Sequence, residues 1–107
     1  MISNININED RLWQSLNKMA TIGATPKGGV NRQTLTDLDK ESRDLFIKWC
    51  KEENLDIKID QIGNIFARRK GKNNKLPAIV SGSHLDTQPT GGKYDGALGV
   101  LSALEVV

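Results

Sequence analysis

Apolar residues recur at helical spacing near the start of the chain, at Leu12, Leu16, Met19 and Ala20. A repeat of three or four positions marks one buried helical face, and it predicts a first helix over Glu9–Ala20. Asn8 stands where an N-cap is wanted, and Glu9 and Asp10 place negative charge at the positive end of the helix dipole. The period breaks from Thr21 to Gln33, where glycines and Pro26 mark a loop. Thr36 with Asp39 three residues later resembles a capping box. It opens a second predicted helix running to about Glu53, with Leu38, Leu45, Phe46, Trp49 and Cys50 toward the core.

The period then changes to two. Leu55-Asp56-Ile57-Lys58-Ile59-Asp60 alternates apolar and polar residues, as a half-buried strand does. Asn64-Ile65-Phe66-Ala67-Arg68-Arg69 follows a turn at Gln61-Ile62-Gly63, and the two runs predict a hairpin. Gly71 to Lys75 is a polar turn. The more continuous apolar run at Pro77-Ala78-Ile79-Val80 predicts a third strand, Ala78–Gly82, of the inner kind that is covered on both faces. A third helix is expected to open at Asp95–Gly99. The order ααβββα, ending in a strand-loop-helix unit, indicates an α/β fold whose sheet is incomplete in this chain.

Composition narrows the classes. The chain has 107 residues and a formal charge of +2 with acids and bases interspersed, so no basic run marks a nucleic-acid or membrane-surface protein. The densest basic cluster, Arg68-Arg69-Lys70 with Lys72 and Lys75, reads as a solvated hairpin end. Hydrophobic content of 37% and aromatic content of 5% are lean for a self-sufficient domain, which favours a piece of a larger protein. Cys50 is the only cysteine. That excludes an internal disulfide, and a half-buried structural thiol is expected. Met1–Asn8 lacks a basic segment followed by an apolar core, so neither a signal peptide nor a membrane span is expected, and a cytoplasmic location is the default.

The chemistry concentrates in Gly82-Ser83-His84-Leu85-Asp86-Thr87-Gln88-Pro89-Thr90-Gly91-Gly92-Lys93-Tyr94-Asp95-Gly96. It holds the only histidine, just beyond the end of a predicted strand, where open α/β sheets present their ligands. In an extended segment residues two apart share a face, so Asp86 is placed to orient the ring of His84. Glycines around Asp95 allow the loop to fold back and bring that carboxylate toward a metal held by His84. Taken singly, each residue has an ordinary structural reading: a strand-end histidine, a turn aspartate at 86, a helix N-cap at 95. The joint pattern is more specific than any member. A phosphate-binding loop fits poorly, because Thr87 stands at its first glycine position and Tyr94 follows Lys93 in place of Ser or Thr. Gly-x-Gly-x-x-Gly is absent as well, which leaves a dinucleotide fold a weak alternative. One histidine and two aspartates cannot complete a two-metal site, so the chain is expected to be the front piece of a larger enzyme, inactive alone.

This motif closely resembles the first metal-binding motif of the hydantoinase/carbamoylase branch of the M20 metallopeptidase-like amidohydrolases, which includes N-carbamoyl-L-amino-acid hydrolase, β-ureidopropionase and allantoate amidohydrolase. The resemblance extends through Gly28-Gly29-Val30-Asn31-Arg32, Arg43-Asp44-Leu45-Phe46 and Asp60-Gln61-Ile62-Gly63-Asn64-Ile65. It implies that residues 1–107 are the N-terminal portion of a zinc-peptidase-like catalytic domain, and that the rest of that domain and a dimerisation domain lie beyond Val107. It implies two divalent metal ions, zinc foremost, with manganese, cobalt or nickel suited to the same donors. His84 would be a terminal metal ligand, Asp95 the carboxylate bridging both metals, and Asp86 the catalytic-site residue that orients His84. A cis peptide after Asp95 is implied too. The expected activity is hydrolysis of a linear amide or ureido C–N bond in an N-carbamoyl or ureido acid, by a homodimer. The Gln88-Pro89-Thr90 insert leans toward the carbamoylase or ureidopropionase side. An M20 peptidase or aminoacylase and a non-catalytic α/β binding domain are the alternatives.

Overall fold

The computed structural model describes residues 6–107, so part of the expectation for Met1–Asn8 lies outside the described residues. The element order is α1 (Glu9–Ala20), α2 (Asp37–Glu52), β1 (Asp56–Ile59), β2 (Ile65–Arg68) and α3 (Ala97–Val106). Both predicted caps form. The side chain of Asn8 accepts from the Arg11 N–H, and that of Thr36 from the Asp39 N–H. The Asp39 carboxylate reaches back to the N–H of Leu35 rather than that of Thr36, so the box closes one residue early. At the far end of α2, Asn54 adopts a left-handed φ of 58°, a common way for a helix to stop. The Leu55 N–H then returns to the Cys50 carbonyl.

β1 and β2 form an antiparallel hairpin in which Asp56 faces Arg68 and Ile59 faces Ile65. The turn is held by Asp60, whose carboxylate accepts from the N–H groups of Ile62 and Asn64 and from the Asn64 amide. The core gathers Leu16 and Met19 of α1, Ile22, Leu85, and Ala97, Val100 and Leu101 of α3. Leu12, Leu45, Phe46 and Trp49 pack against it. Arg11 grips Glu105 through two hydrogen bonds of 2.7 and 2.8 Å, which ties α1 to α3 across the chain.

Three expectations are corrected. Residues 78–82 form no strand, and Ile79 and Val80 are exposed rather than covered. The order among the described residues is therefore ααββα. A strand exists only through a neighbouring ladder, and the one sheet among the described residues is the two-stranded β1–β2 hairpin. Leu38 lies on the solvent side of α2, and Cys50 is fully rather than half buried. Among the described residues no helix is long and apolar enough to cross a membrane.

Candidate metal centre

The segment before α3 is fixed by a second segment, Gly29–Arg32, that runs beside it. The Thr87 N–H donates to the Arg32 carbonyl, and the Arg32 N–H to Thr87 Oγ1, each at 2.7 Å. Val30 and Gly91 exchange N–H···O bonds of 2.9 and 3.0 Å. The backbones approach so closely that a Cβ on Gly29 would stand 2.7 Å from the Gly91 carbonyl oxygen. Leu85 and Thr87 are buried while His84 is exposed and Asp86 half-buried. The period of two expected of an extended segment is thus present without a sheet, and it puts His84 and Asp86 on one outward face.

His84 Nδ1 lies 2.9 Å from the backbone oxygen of Asp86 and 3.4 Å from its Oδ1. Two acceptors on one side favour the Nδ1–H tautomer, which leaves a lone pair on Nε2. The ring also lies against Gly96: a Cβ there would overlap Cε1 and stand 2.5 Å from Nδ1. His84 therefore abuts the residue that follows Asp95.

Gly96 makes this possible. It sits at φ 74°, ψ −52°, and the Ala97 N–H donates to the Asp95 carbonyl at 2.9 Å. That is a three-residue γ-turn of the strained, positive-φ kind. The peptide after Asp95 is trans, since no cis bond occurs among the described residues; the sharp reversal anticipated there is made by the γ-turn. The ordinary alternative for Asp95 is removed as well. Gly96 occupies the cap position of α3, which has no side-chain cap hydrogen bond, and Asp95 is left exposed.

The donor types suit a divalent transition metal: one imidazole nitrogen, oriented by a carboxylate, beside a turn that carries a second carboxylate. The number of donors is small. No group of three or more His, Cys, Asp or Glu side chains that could hold a metal occurs among the described residues.

Arg32 closes the glycine-rich run that the sequence left without a chemical role, and the structure gives it one. The residue is 1% exposed. Nε donates to the Leu85 carbonyl at 2.9 Å, and Nη1 to the carbonyls of Met19 and Ile22 at 3.1 and 2.6 Å. Burial lowers its pKa from the ordinary arginine value, and the charges of Asp39 and Asp86 oppose that shift. In the sequence Arg32 stood out only as the last residue of Gly28-Gly29-Val30-Asn31-Arg32, one of the stretches that carry the family resemblance. The stack of Trp13 on Tyr94, with centroids 5.9 Å apart, likewise steadies the loop from α1.

No protein-family model matches the chain. Individual proteins do. The chain is 55% identical over 104 residues to an N-carbamoyl-L-amino-acid amidohydrolase of Rhizobium meliloti, a match covering 97% of this chain and 25% of that protein. It is 36% identical over 101 residues to a ureidoglycolate hydrolase of Oryza sativa subsp. japonica, covering 94% of this chain and 21% of the relative. An amidase of the hydantoinase/carbamoylase family from Burkholderia vietnamiensis superposes with a TM-score of 0.95 at 50% identity, over 98% of this chain and 25% of that structure. The chain belongs to the hydantoinase/carbamoylase family of amidohydrolases. It spans about a quarter of the length of the curated relatives it matches.

Proposed function

We propose that the full-length protein is a metal-dependent amidohydrolase that cleaves a linear C–N bond of an N-carbamoyl amino acid or related ureido acid. In this reading the present chain supplies part of the metal centre. The observation that carries it is the His84–Asp86 pair, which holds a histidine in one tautomer with its outer nitrogen available. The identity of 55% to an N-carbamoyl-L-amino-acid amidohydrolase supports the substrate class.

His84 offers Nε2 as a terminal ligand, and Asp86 orients it by accepting at Nδ1. Asp95, delivered by the γ-turn, offers two carboxylate oxygens that can bridge. Two divalent cations, zinc foremost and manganese, cobalt or nickel by the same donor chemistry, would supply Lewis acidity at the ureido carbonyl and acidify the attacking water. The products would be an amino acid, ammonia and carbon dioxide. A homodimer in the cytoplasm, with no nucleic-acid or membrane partner, completes the proposal. The ureidoglycolate hydrolase relative gives a second substrate reading within the same chemistry.

The test uses purified full-length protein. Bound metal is measured by mass spectrometry, and ammonia release is followed from N-carbamoyl-L-amino acids and from ureidoglycolate, before and after chelation. Metal-dependent ammonia release is expected, and which substrate gives the higher kcat/KM chooses between the two readings. Release of acetate from N-acetyl amino acids without ammonia from either ureido substrate would point to an aminoacylase. A metal-free protein inactive on all of them would leave a binding domain.

A further inference from the structure

We propose that Arg32 is a positioning residue of this metal centre: it holds the His84–Asp86 segment in register with the end of α1, so that the ring of His84 is aimed before metal arrives. The proposal rests on the reading of His84 as a metal ligand.

Leu85, the residue between His84 and Asp86, has its carbonyl held by Arg32 Nε at 2.9 Å. The other end of the guanidinium is anchored on the carbonyls of Met19 and Ile22, at the C-terminal end of α1, where a helix carries partial negative charge. The planar fork thus spans two elements that no backbone ladder joins. The main chain of Arg32 adds the reciprocal pair with Thr87. Leu85 is therefore gripped from one side and Thr87 from the other, with Asp86 between them and His84 just before. No Arg32 ion pair occurs among the described residues, so the guanidinium is engaged by backbone carbonyls. An arginine retained in that setting exploits rigid, multidirectional donation more than charge. Lysine, with a compact ammonium on a flexible stem, cannot reproduce it.

Positioning and mere folding separate by experiment. In the full-length protein, Arg32→Lys should weaken metal binding by roughly 10–100-fold, the range typical when a group that orients a ligand is lost. Affinity is read by competition with a chromophoric chelator, at a temperature where the variant is folded. The kcat of the metal-limited enzyme should fall while KM stays near wild type, because the substrate is not touched. Cys50→Ser, a buried change on α2, is the control for lost stability and should leave metal affinity unchanged. Thr87→Val removes the acceptor of the Arg32 N–H with little change of volume, and should weaken metal binding several-fold. It decides the question if Arg32→Lys does not fold. A folded Arg32→Lys, or in its place Thr87→Val, that binds metal within twofold of wild type would overturn the proposal. His84→Ala is run alongside. If it loses metal and the Arg32 and Thr87 variants do not, only the role of Arg32 fails; if it keeps its metal, the reading of the site fails and the proposal with it.

Discussion

The imidazole of His84 lies against Gly96, twelve residues later in the chain, where a Cβ would overlap the ring. Two independent demands meet at Gly96. It must be small for His84 to approach, and it must hold a φ of 74° for the γ-turn. Gly96→Ala should therefore destabilise the protein by about 2–3 kcal/mol or more, given the cost of strained backbone together with the clash. Any such variant that folds should bind metal poorly, because His84 is pushed off its pose. Thermal melts and metal titration check both parts; a Gly96→Ala protein with wild-type values of each would refute the packing described.

Asp86 touches His84 with its backbone oxygen as well as its carboxylate. Asp86→Asn keeps the first contact and weakens the second. We expect an activity loss at the lower end of the roughly 10–100-fold range for such partners, with metal content largely retained. His84→Ala should remove metal. Equal metal loss in the two variants would make Asp86 a direct ligand.

Glu105 accepts from Arg11 and from the Asn8 N–H, at 2.7–2.8 Å, and only 6% of its side chain is exposed. The Arg11 hydrogen bonds, joined by that of Asn8, hold its pKa below the ordinary glutamate value against the opposing effect of burial. A carboxyl depressed in the folded state contributes stability above its unfolded pKa and loses it as pH falls through the folded one. Glu105→Gln should thus lower the melting temperature at pH 7, and the gap to wild type should close on acidification below the folded pKa. A gap that persists unchanged at about pH 2, below the usual carboxylate range, would assign the effect to packing.

Burial pushes the Cys50 thiol up to about 11, and its side chain is fully enclosed. A thiol in that state is neither ionised nor reachable at neutral pH. Ellman's reagent at about pH 8, near the ordinary thiol pKa, should leave the native protein unlabelled at Cys50 and should titrate it once urea unfolds the chain. Rapid native labelling would contradict the burial.

The local elements were legible in the sequence because their causes are local. Leu12, Leu16, Met19 and Ala20 define α1 by spacing alone, and Asn8 and Thr36 cap the helices whose first turns they precede. The hairpin followed from two alternating runs around Asp60–Gly63. The proposed site residues His84, Asp86 and Asp95 lie in one short motif of the sequence, and the contact of His84 with Asp86 follows their spacing of two. Tertiary structure alone decided the rest. The run Ala78–Gly82 has strand character, yet a strand needs a partner ladder, and none forms there among the described residues. Asp95 preceding an apolar helix could have been its cap; the γ-turn at Gly96 moved the helix start past it. Arg32 stood in a segment expected to be a loop, and its burial against the carbonyls of Met19, Ile22 and Leu85 is visible only in the folded chain. Spacing along a chain encodes which residues share a face, whereas which distant groups satisfy one another is settled only when the backbone polar atoms of a buried crossing must all find partners.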